Sequence, residues 1–302
     1  MSVSGAVRAG EAPVLVVGEA LTDLVPEPGG ALLPRPGGAP ANVAVRLARL
    51  GVRTVFAGTF GDDAFGRANE RRLRSSGVEL GRCGHSPRPT ALAVADPAPD
   101  GTRYHFHLQD TATFALGSVE VRPGDFSAVY AGGLAAVVAP ARAGVLATAR
   151  AAARHSVLVV DPNVRADRTL DPASGPRRLR ELCVLGHVVK VSDEDAALLW
   201  PGDPPETSCR ALAAGGRLVL LTRGARGSTA FLPGGSQVSV PAVPVAVADT
   251  IGAGDAFTAA ALAALLREGT LRTGGAAAVT AHGAREALEQ AARVAAAALA
   301  GA

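Results

Sequence analysis

The sequence predicts an α/β protein: a doubly wound, mostly parallel sheet with helices on both faces, carrying a small β-sheet lid. Three observations carry that expectation. Short, mostly apolar runs rich in Val, Leu and Ala recur at 14–17, 54–57, 128–131, 157–160, 188–191 and 218–221, as strands buried on both faces require. Helix-forming stretches separate most of these runs, which is the alternation of a parallel sheet built by crossovers. Residues 90–108 break the pattern and alternate instead, so they belong to a separate, half-exposed sheet.

With 302 residues, 48% hydrophobic and 19% charged, the chain can bury a full core and reads as one domain over 12–302. Residues 1–11 are small and polar and read as a disordered tail. The net charge is +3, the arginines are scattered, Lys190 is the one lysine, and aromatic residues make up 4%. Neither the basic stripe nor the stacking aromatics of a nucleic-acid surface is present, so that partner is excluded. Cys83, Cys183 and Cys209 are odd in number and far apart, which fits thiols in a reducing cytosol and neither a disulfide framework nor a zinc site. No run reaches the roughly 18 apolar residues of a membrane span, and the N-terminus lacks a basic-then-apolar leader; a cytoplasmic protein without a membrane partner is expected.

Taken in order, Pro13–Gly18 is the first core strand. Glu19–Leu33 is turn-rich around Pro28-Gly29-Gly30 and predicts an exposed hairpin. Pro36–Asn42 opens a helix with Val43, Leu47 and Leu50 on one side and Gly51 as its stop. After the strand Thr54–Ala57, Gly61–Gly66 starts a second helix with Asp62 as its cap. Thr90–Ala95 and Thr102–Leu108 form a hairpin around Pro97–Gly101, and the segments 20–35 and 90–110 together make the lid. Tyr104, Phe106 and Leu108 share one face of the second strand; His105 and His107 share the other. As a metal pair the two histidines lack a third ligand at useful spacing.

Beyond Ser127 the strands Ala128–Ala131, Val157–Val160, Val188–Val191 and Leu218–Leu221 alternate with helices at 142–154, near 175–183, and after the capping run Ser192–Asp195. A hairpin follows Thr222–Gly227. In such sheets ligands bind at the carboxyl ends of the strands. Three polar clusters fall there: Glu19 with Asp23; Asp161 with Asn163 and Arg165; and Thr222 with Gly224.

The extended run Val238–Val247 leads into Asp249-Thr250-Ile251-Gly252-Ala253-Gly254-Asp255-Ala256-Phe257, and a helix-forming run follows, stopped by Gly269. Gly252 and Gly254 therefore sit in a turn feeding a helix N-terminus. Free backbone N–H groups and the positive end of the helix dipole accept an anion there. Glycine lets the backbone approach that anion; valine at Gly254 would occlude it or force a backbone angle that only glycine adopts cheaply. Asp255, a carboxylate inside an anion site, fits an acceptor for the proton of an attacking hydroxyl. An acid in a first turn also simply complements the dipole. The run lacks the third glycine of a dinucleotide fingerprint and the Gly-Lys-Ser/Thr of a P-loop.

Pro36-Gly37-Gly38-Ala39-Pro40-Ala41-Asn42 and Asp249–Phe257, more than 200 residues apart, resemble the two signature regions of the ribokinase-like (PfkB-type) carbohydrate kinases. Gly18–Asp23, Gly61–Gly66, Asp161–Arg165, Val189–Ser192 and Thr222–Gly227 extend the resemblance over most of the chain, which is most similar to bacterial fructokinase-like members. The resemblance implies transfer of the γ-phosphoryl group of Mg·ATP to a sugar hydroxyl. Asp255 becomes the general base, and the backbone of Gly252, Ala253 and Gly254 the anion hole. Asp23, Gly38 and Asn42 become sugar contacts, and Thr222, Gly224, Lys190 and Asp195 nucleotide contacts. Mg²⁺ arrives with ATP, with Asp195 acting on it through water. A monovalent cation such as K⁺ and a homodimer joined through the lid are also implied. The chain departs from the family pattern at Asp195, where fructokinase-like members carry Glu, and at Phe106-His107-Leu108, where they place an aromatic and an Arg. Ribose, 2-keto-3-deoxygluconate and nucleosides stay open as acceptors. A binding protein of the same fold without turnover is a second reading, against which the intact Asp255 argues. A nicotinamide oxidoreductase is excluded, because no Gly-x-Gly-x-x-Gly follows the first strand.

Overall fold

The computed structural model describes residues 12–27, 29–98, 101–165, 170, 174–246, 252–271 and 278–301. The expected tail at 1–11, the hairpin tip at Pro28 and the Asp249–Ile251 half of the glycine motif lie outside the described residues. In chain order the elements are β1 (Val14–Val17), β2 (Leu21–Pro26), β3 (Leu32–Gly37), α1 (Ala39–Arg49), β4 (Thr54–Ala57), β5 (Thr59–Gly61), α2 (Ala64–Ser75) and β6 (Gly84–Ser86). Then come β7 (Leu92–Ala98), β8 (Gly101–His107), β9 (Ala128–Gly132), α3 (Ala141–His155), β10 (Val157–Asp161), α4 (Gly175–Leu185) and β11 (Val188–Ser192). The chain continues with α5 (Asp193–Leu199), α6 (Pro205–Ala214), β12 (Leu218–Thr222), β13 (Ser228–Phe231), β14 (Gln237–Val240), α7 (Ala253–Arg267) and α8 (Ala281–Leu299).

The large sheet runs β14-β13-β12-β11-β10-β9-β1-β4. From β4 to β12 it is parallel, and β13 and β14 close it as an antiparallel edge. β1 is paired on both sides, Val14–Val17 against Thr54–Ala57 and against Ala128–Ala131, and all four of its side chains are buried. The period of two then divides the strands between two cores. Val14, Val16, Phe56 and Tyr130 face α1, α7 and α8; Leu15, Val17, Val129 and Leu158 face the layer of α3 to α6. α7 is buried from Asp255 to Leu265, which its alanine-rich sequence permits because small side chains let α1 and α8 close on it. No helix among the described residues is long and apolar enough to cross a membrane. Cys83, Cys183 and Cys209 are free thiols.

The second sheet has the order β3-β2-β7-β8. Tyr104 and Phe106 stack with ring centroids 6.0 Å apart on one face of β8, and His105 and His107 are exposed on the other. The cap of α2 corrects an expectation: it is Asp63, not Asp62. Asp63 has the extended backbone of an N-cap and accepts from the Gly66 N–H at 2.7 Å. Its carboxylate also accepts from the Thr90 N–H at 2.6 Å and the Thr90 hydroxyl at 2.8 Å, tying α2 to the segment that enters β7.

Candidate active site

One cleft opens where β1, β10 and α7 meet the small sheet. Glu19 and Asp23 reach it from the end of β1 and from β2, Gly38 and Asn42 from the start of α1, and Asn163 and Arg165 from the loop after β10. Gly252 and Asp255 come from the start of α7, and Tyr104 and Phe106 of β8 supply an apolar wall. The apolar face read from the alternation of β8 is therefore part of the cleft. Gly38 has φ 98°, and a Cβ there would sit 2.6 Å from the Glu19 carbonyl oxygen, so the backbone entering α1 can pass β1 only as glycine.

Gly252 caps α7 in the left-handed region at φ 77° and, as glycine, offers no side chain to the N–H groups of the first turn. Gly254 behaves otherwise than expected: its backbone is helical, and a Cβ there would meet the Lys190 Nζ at 3.4 Å. The left-handed angle that favours glycine belongs to Gly252, which precedes the helix, and not to Gly254 within it.

Asp255 is 6% exposed. Its Oδ2 accepts from Asn42 Nδ2 at 2.8 Å, and Oδ1 accepts from Asn163 Nδ2 at 3.5 Å. Asn163 points this way from a left-handed backbone, φ 43°, which asparagine tolerates better than most residues. The Asn42 amide is itself oriented by Arg72, whose Nη2 donates to Asn42 Oδ1 at 2.8 Å. Burial pushes the Asp255 carboxyl above its ordinary range, while the Asn42 hydrogen bond and the charges of Arg165, Lys190 and Arg46 pull it back. The net effect is upward, toward a more basic carboxylate.

Beneath the α7 turn lies a buried ionic network. Lys190, 4% exposed, donates to Asp161 at 3.4 Å and stands 4.0 Å from Asp195. Thr258, one turn into α7, donates its hydroxyl to Asp161 at 2.9 Å. Burial opposes the charge on Lys190, but Asp161, Asp195 and Asp255 outweigh it and hold the ammonium protonated. Asp195 completes a capping box with Ser192, and its oxygens accept from the Val164 N–H at 2.7 Å and the Ser192 N–H at 2.9 Å. It thereby fixes the loop that carries Asn163. No group of three His, Cys, Asp or Glu side chains among the described residues could hold a metal ion.

Two carboxylates of the cleft are strongly perturbed. Glu19, 2% exposed, is pushed by burial to about 7, although its oxygens accept from the Leu134 N–H at 3.1 Å and the Ala135 N–H at 2.9 Å. Asp23 is raised by burial to about 6, against the pull of Arg165.

Of the residues singled out in the sequence, the fold brings Asp23, Gly38, Asn42, Gly252 and Asp255 into the cleft. Lys190 and Asp195 lie in the network below it. Thr222 and Gly224 stand at the end of β12, two strands from β10 and outside the cleft lining. Glu19, Asn163 and Arg165 were visible only as polar residues at strand ends, and nothing in the sequence separated Arg72 from the other arginines of α2.

With this geometry in place, similarity to known proteins is decisive. A family model described as pfkB family carbohydrate kinase matches residues 12–300. The chain belongs to the pfkB carbohydrate kinase family. A fructokinase of Klebsiella pneumoniae is 36% identical over 266 residues, covering 85% of each chain. One from Rhizobium leguminosarum bv. trifolii is 31% identical over 269 residues, covering 85% of this chain and 81% of its own. The solved fructokinase of Vibrio cholerae O395, in a form bound to fructose, ADP and calcium, superposes with a TM-score of 0.83 at 28% identity, over 95% of this chain and 92% of that one. The aminoimidazole riboside kinase of Salmonella enterica, complexed with aminoimidazole riboside and an ATP analog, gives 0.80 at 26% identity, over 95% and 93%. As a pfkB carbohydrate kinase this protein is an ATP-dependent sugar kinase with the ribokinase-like fold.

Proposed function

We propose that the protein is a fructokinase-like kinase that transfers the γ-phosphoryl group of Mg·ATP to a hydroxyl of a ketose such as fructose, with Asp255 as general base. The observation that carries this reading is the Asp255 carboxylate, buried at the N-terminus of α7, held by Asn42 and facing a polar cleft. Asp23, Asn42 and the Gly38 backbone bind and orient the sugar, and Asn163 and Arg165 close the same wall. The acceptor hydroxyl gives its proton to Asp255 as its oxygen attacks the γ-phosphorus. The free N–H groups of Gly252, Ala253 and Gly254 stabilise the charge that develops on the transferring phosphoryl oxygens. Thr222 and Gly224, at the end of β12, border the nucleotide side.

Lys190 acts from below, as the charge that holds Asp161, and through it Thr258 and the first turn of α7, in place. Asp195 positions the Asn163 loop. Its oxygens already accept backbone N–H groups, so any approach to Mg²⁺ is through water. The ion is held mainly by the phosphates and offsets their charge when bound. The chain works as one domain, with the small sheet as lid. Leu32 and Leu33, exposed on the edge strand β3, are the surface on which a second copy would dock.

The test is a coupled ADP-release assay with fructose, ribose, 2-keto-3-deoxygluconate, fructose phosphates and nucleosides. Turnover is expected, highest on fructose. No turnover on any of these, with sugar binding retained, would favour the binding-protein reading.

A further inference from the structure

We propose that Arg46 is a further catalytic residue, whose guanidinium neutralises the phosphoryl group in flight; this rests on the kinase reading above. Arg46 follows Asn42 by one turn of α1, so the two share a helix face. Its Nη2 lies 3.9 Å from the point a Cβ on Gly252 would occupy, and Asn42 Nδ2 and Asp255 Oδ2 each lie 3.8 Å from that point. The guanidinium, the base and the amide that holds the base thus converge on the residue that opens the N–H nest. Arg46 is absent from the cleft lining that Asn42 and Asp255 share, so it stands away from the acceptor.

The charge on Arg46 is costly where it sits. Half-buried, it is destabilised by burial and by Arg49, and Asp255 offsets this only in part. Among the described residues it makes no hydrogen bond or ion pair, whereas Arg72 close by is bonded to Asn42. A basic residue in a last turn also complements the dipole of its own helix. Arg49 does that from an exposed position, while Arg46 is drawn in against Gly252. A half-buried guanidinium whose charge Asp255 offsets only in part, and which makes no ion pair among the described residues, stands at the start of α7 and matches a multiply charged oxyanion, and the reaction supplies one.

In the step itself the acceptor O–H proton passes to Asp255 while the acceptor oxygen forms the new P–O bond. The bond from the γ-phosphorus to the β–γ bridging oxygen breaks, and its electron pair leaves with ADP. Charge spreads over the equatorial oxygens of the phosphoryl group in transit, and Arg46 meets it there.

The experiment compares wild type, R46M and R46K in the ADP-release assay, with circular dichroism as a check on folding. Methionine keeps much of the apolar stem and removes the charge. R46M is expected to lose on the order of 10²–10³-fold in kcat with the KM of the sugar nearly unchanged, and added guanidinium ion should restore part of the rate. The wild type should also bind ADP with aluminium fluoride, a mimic of the group in transit, more tightly than R46M does by a similar factor, while both bind ADP alone equally. If R46M does not fold, R46K carries the comparison with a smaller loss, because it keeps charge without the fork. Wild-type kcat/KM in folded R46M would overturn the inference alone. A rise in sugar KM at unchanged kcat would overturn it too, by assigning the guanidinium to the acceptor. A wild type without turnover on any acceptor would overturn the kinase reading and this inference with it.

Discussion

Asn42 and Asp255 lie 213 positions apart and are joined by a 2.8 Å hydrogen bond from amide to carboxylate. The bond ties α1 to α7 and sets the direction in which the Asp255 carboxylate presents its free electron pairs. Arg72 makes it one-directional. By donating to Asn42 Oδ1, the guanidinium leaves only the NH₂ side of the amide for Asp255.

Removing that constraint should be visible in kinetics. With R72M the Asn42 amide is free to turn, and Asp255 loses both a donor and a nearby positive charge. Each change favours the protonated carboxyl, so the acid limb of the pH profile of kcat/KM should move to higher pH, with a loss of about tenfold near neutrality. An unchanged profile in folded R72M would reduce Arg72 to packing.

Asp255→Asn should bind sugar and ATP within a few-fold of wild type by calorimetry. The amide cannot accept the hydroxyl proton, so turnover should fall by roughly 10²–10⁴-fold. Turnover near the wild-type rate would remove Asp255 from the role of base.

Gly254→Val keeps an allowed helical backbone, and its nearest neighbour is the end of the flexible Lys190 side chain. The variant should fold, yet lose turnover per folded molecule, because its methyl groups press on the Lys190 ammonium and shift the first turn of α7, whose N–H groups are to meet the phosphoryl group. Gly252→Ala, by contrast, should cost stability of about 1–2 kcal/mol through its left-handed backbone. Equal turnover per folded molecule in wild type and Gly254→Val would leave the turn without a part in the chemistry.

Lys190→Met leaves Asp161 buried beside Asp195 without a cation. Breaking a buried pair of this kind costs roughly 3–5 kcal/mol, measurable by urea unfolding at neutral pH. At lower pH the penalty should shrink, because Asp161, already raised by burial to about 6 with Lys190 present, then takes up a proton. A loss independent of pH would contradict the network.

Glu19 links stability to pH in the unusual direction for a carboxylate. Folding raises its pKa from 4.5 to about 7, so the folded state holds a proton that the unfolded state releases. Its contribution is complete below the unfolded value and is lost as pH rises through the folded one. At about 1.4 kcal/mol per unit, the loss between roughly pH 4.5 and 7 is on the order of 3 kcal/mol. Asp23, raised to about 6, slopes the same way. Urea unfolding across this window should show stability falling with pH, and E19Q should flatten the slope even though its amide NH₂ faces backbone N–H groups. A flat wild-type profile would refute the assignment.

The strands and the doubly wound sheet were legible in the sequence because burial on both faces imposes short, mostly apolar runs, and because α7 had to be alanine-rich to run between α1 and α8. Asp255, Asn42 and Gly252 were legible because each sits in a contiguous motif at a helix start, where backbone chemistry dictates residue type locally. Tertiary structure alone decided the rest. Arg71, Arg72 and Arg74 look alike as letters, and only the packing of α2 against α1 brings Arg72, 30 positions away, to Asn42. Lys190 reads as one basic residue in a valine strand until the order β10-β11-β12 sets Asp161 beside it and α7 above it. Asp63 prevailed over Asp62 as cap because Thr90, 27 positions later, returns to meet it. In each case the partner arrives through the order of the strands, and the local pattern of burial carries no record of which distant element lies across the sheet.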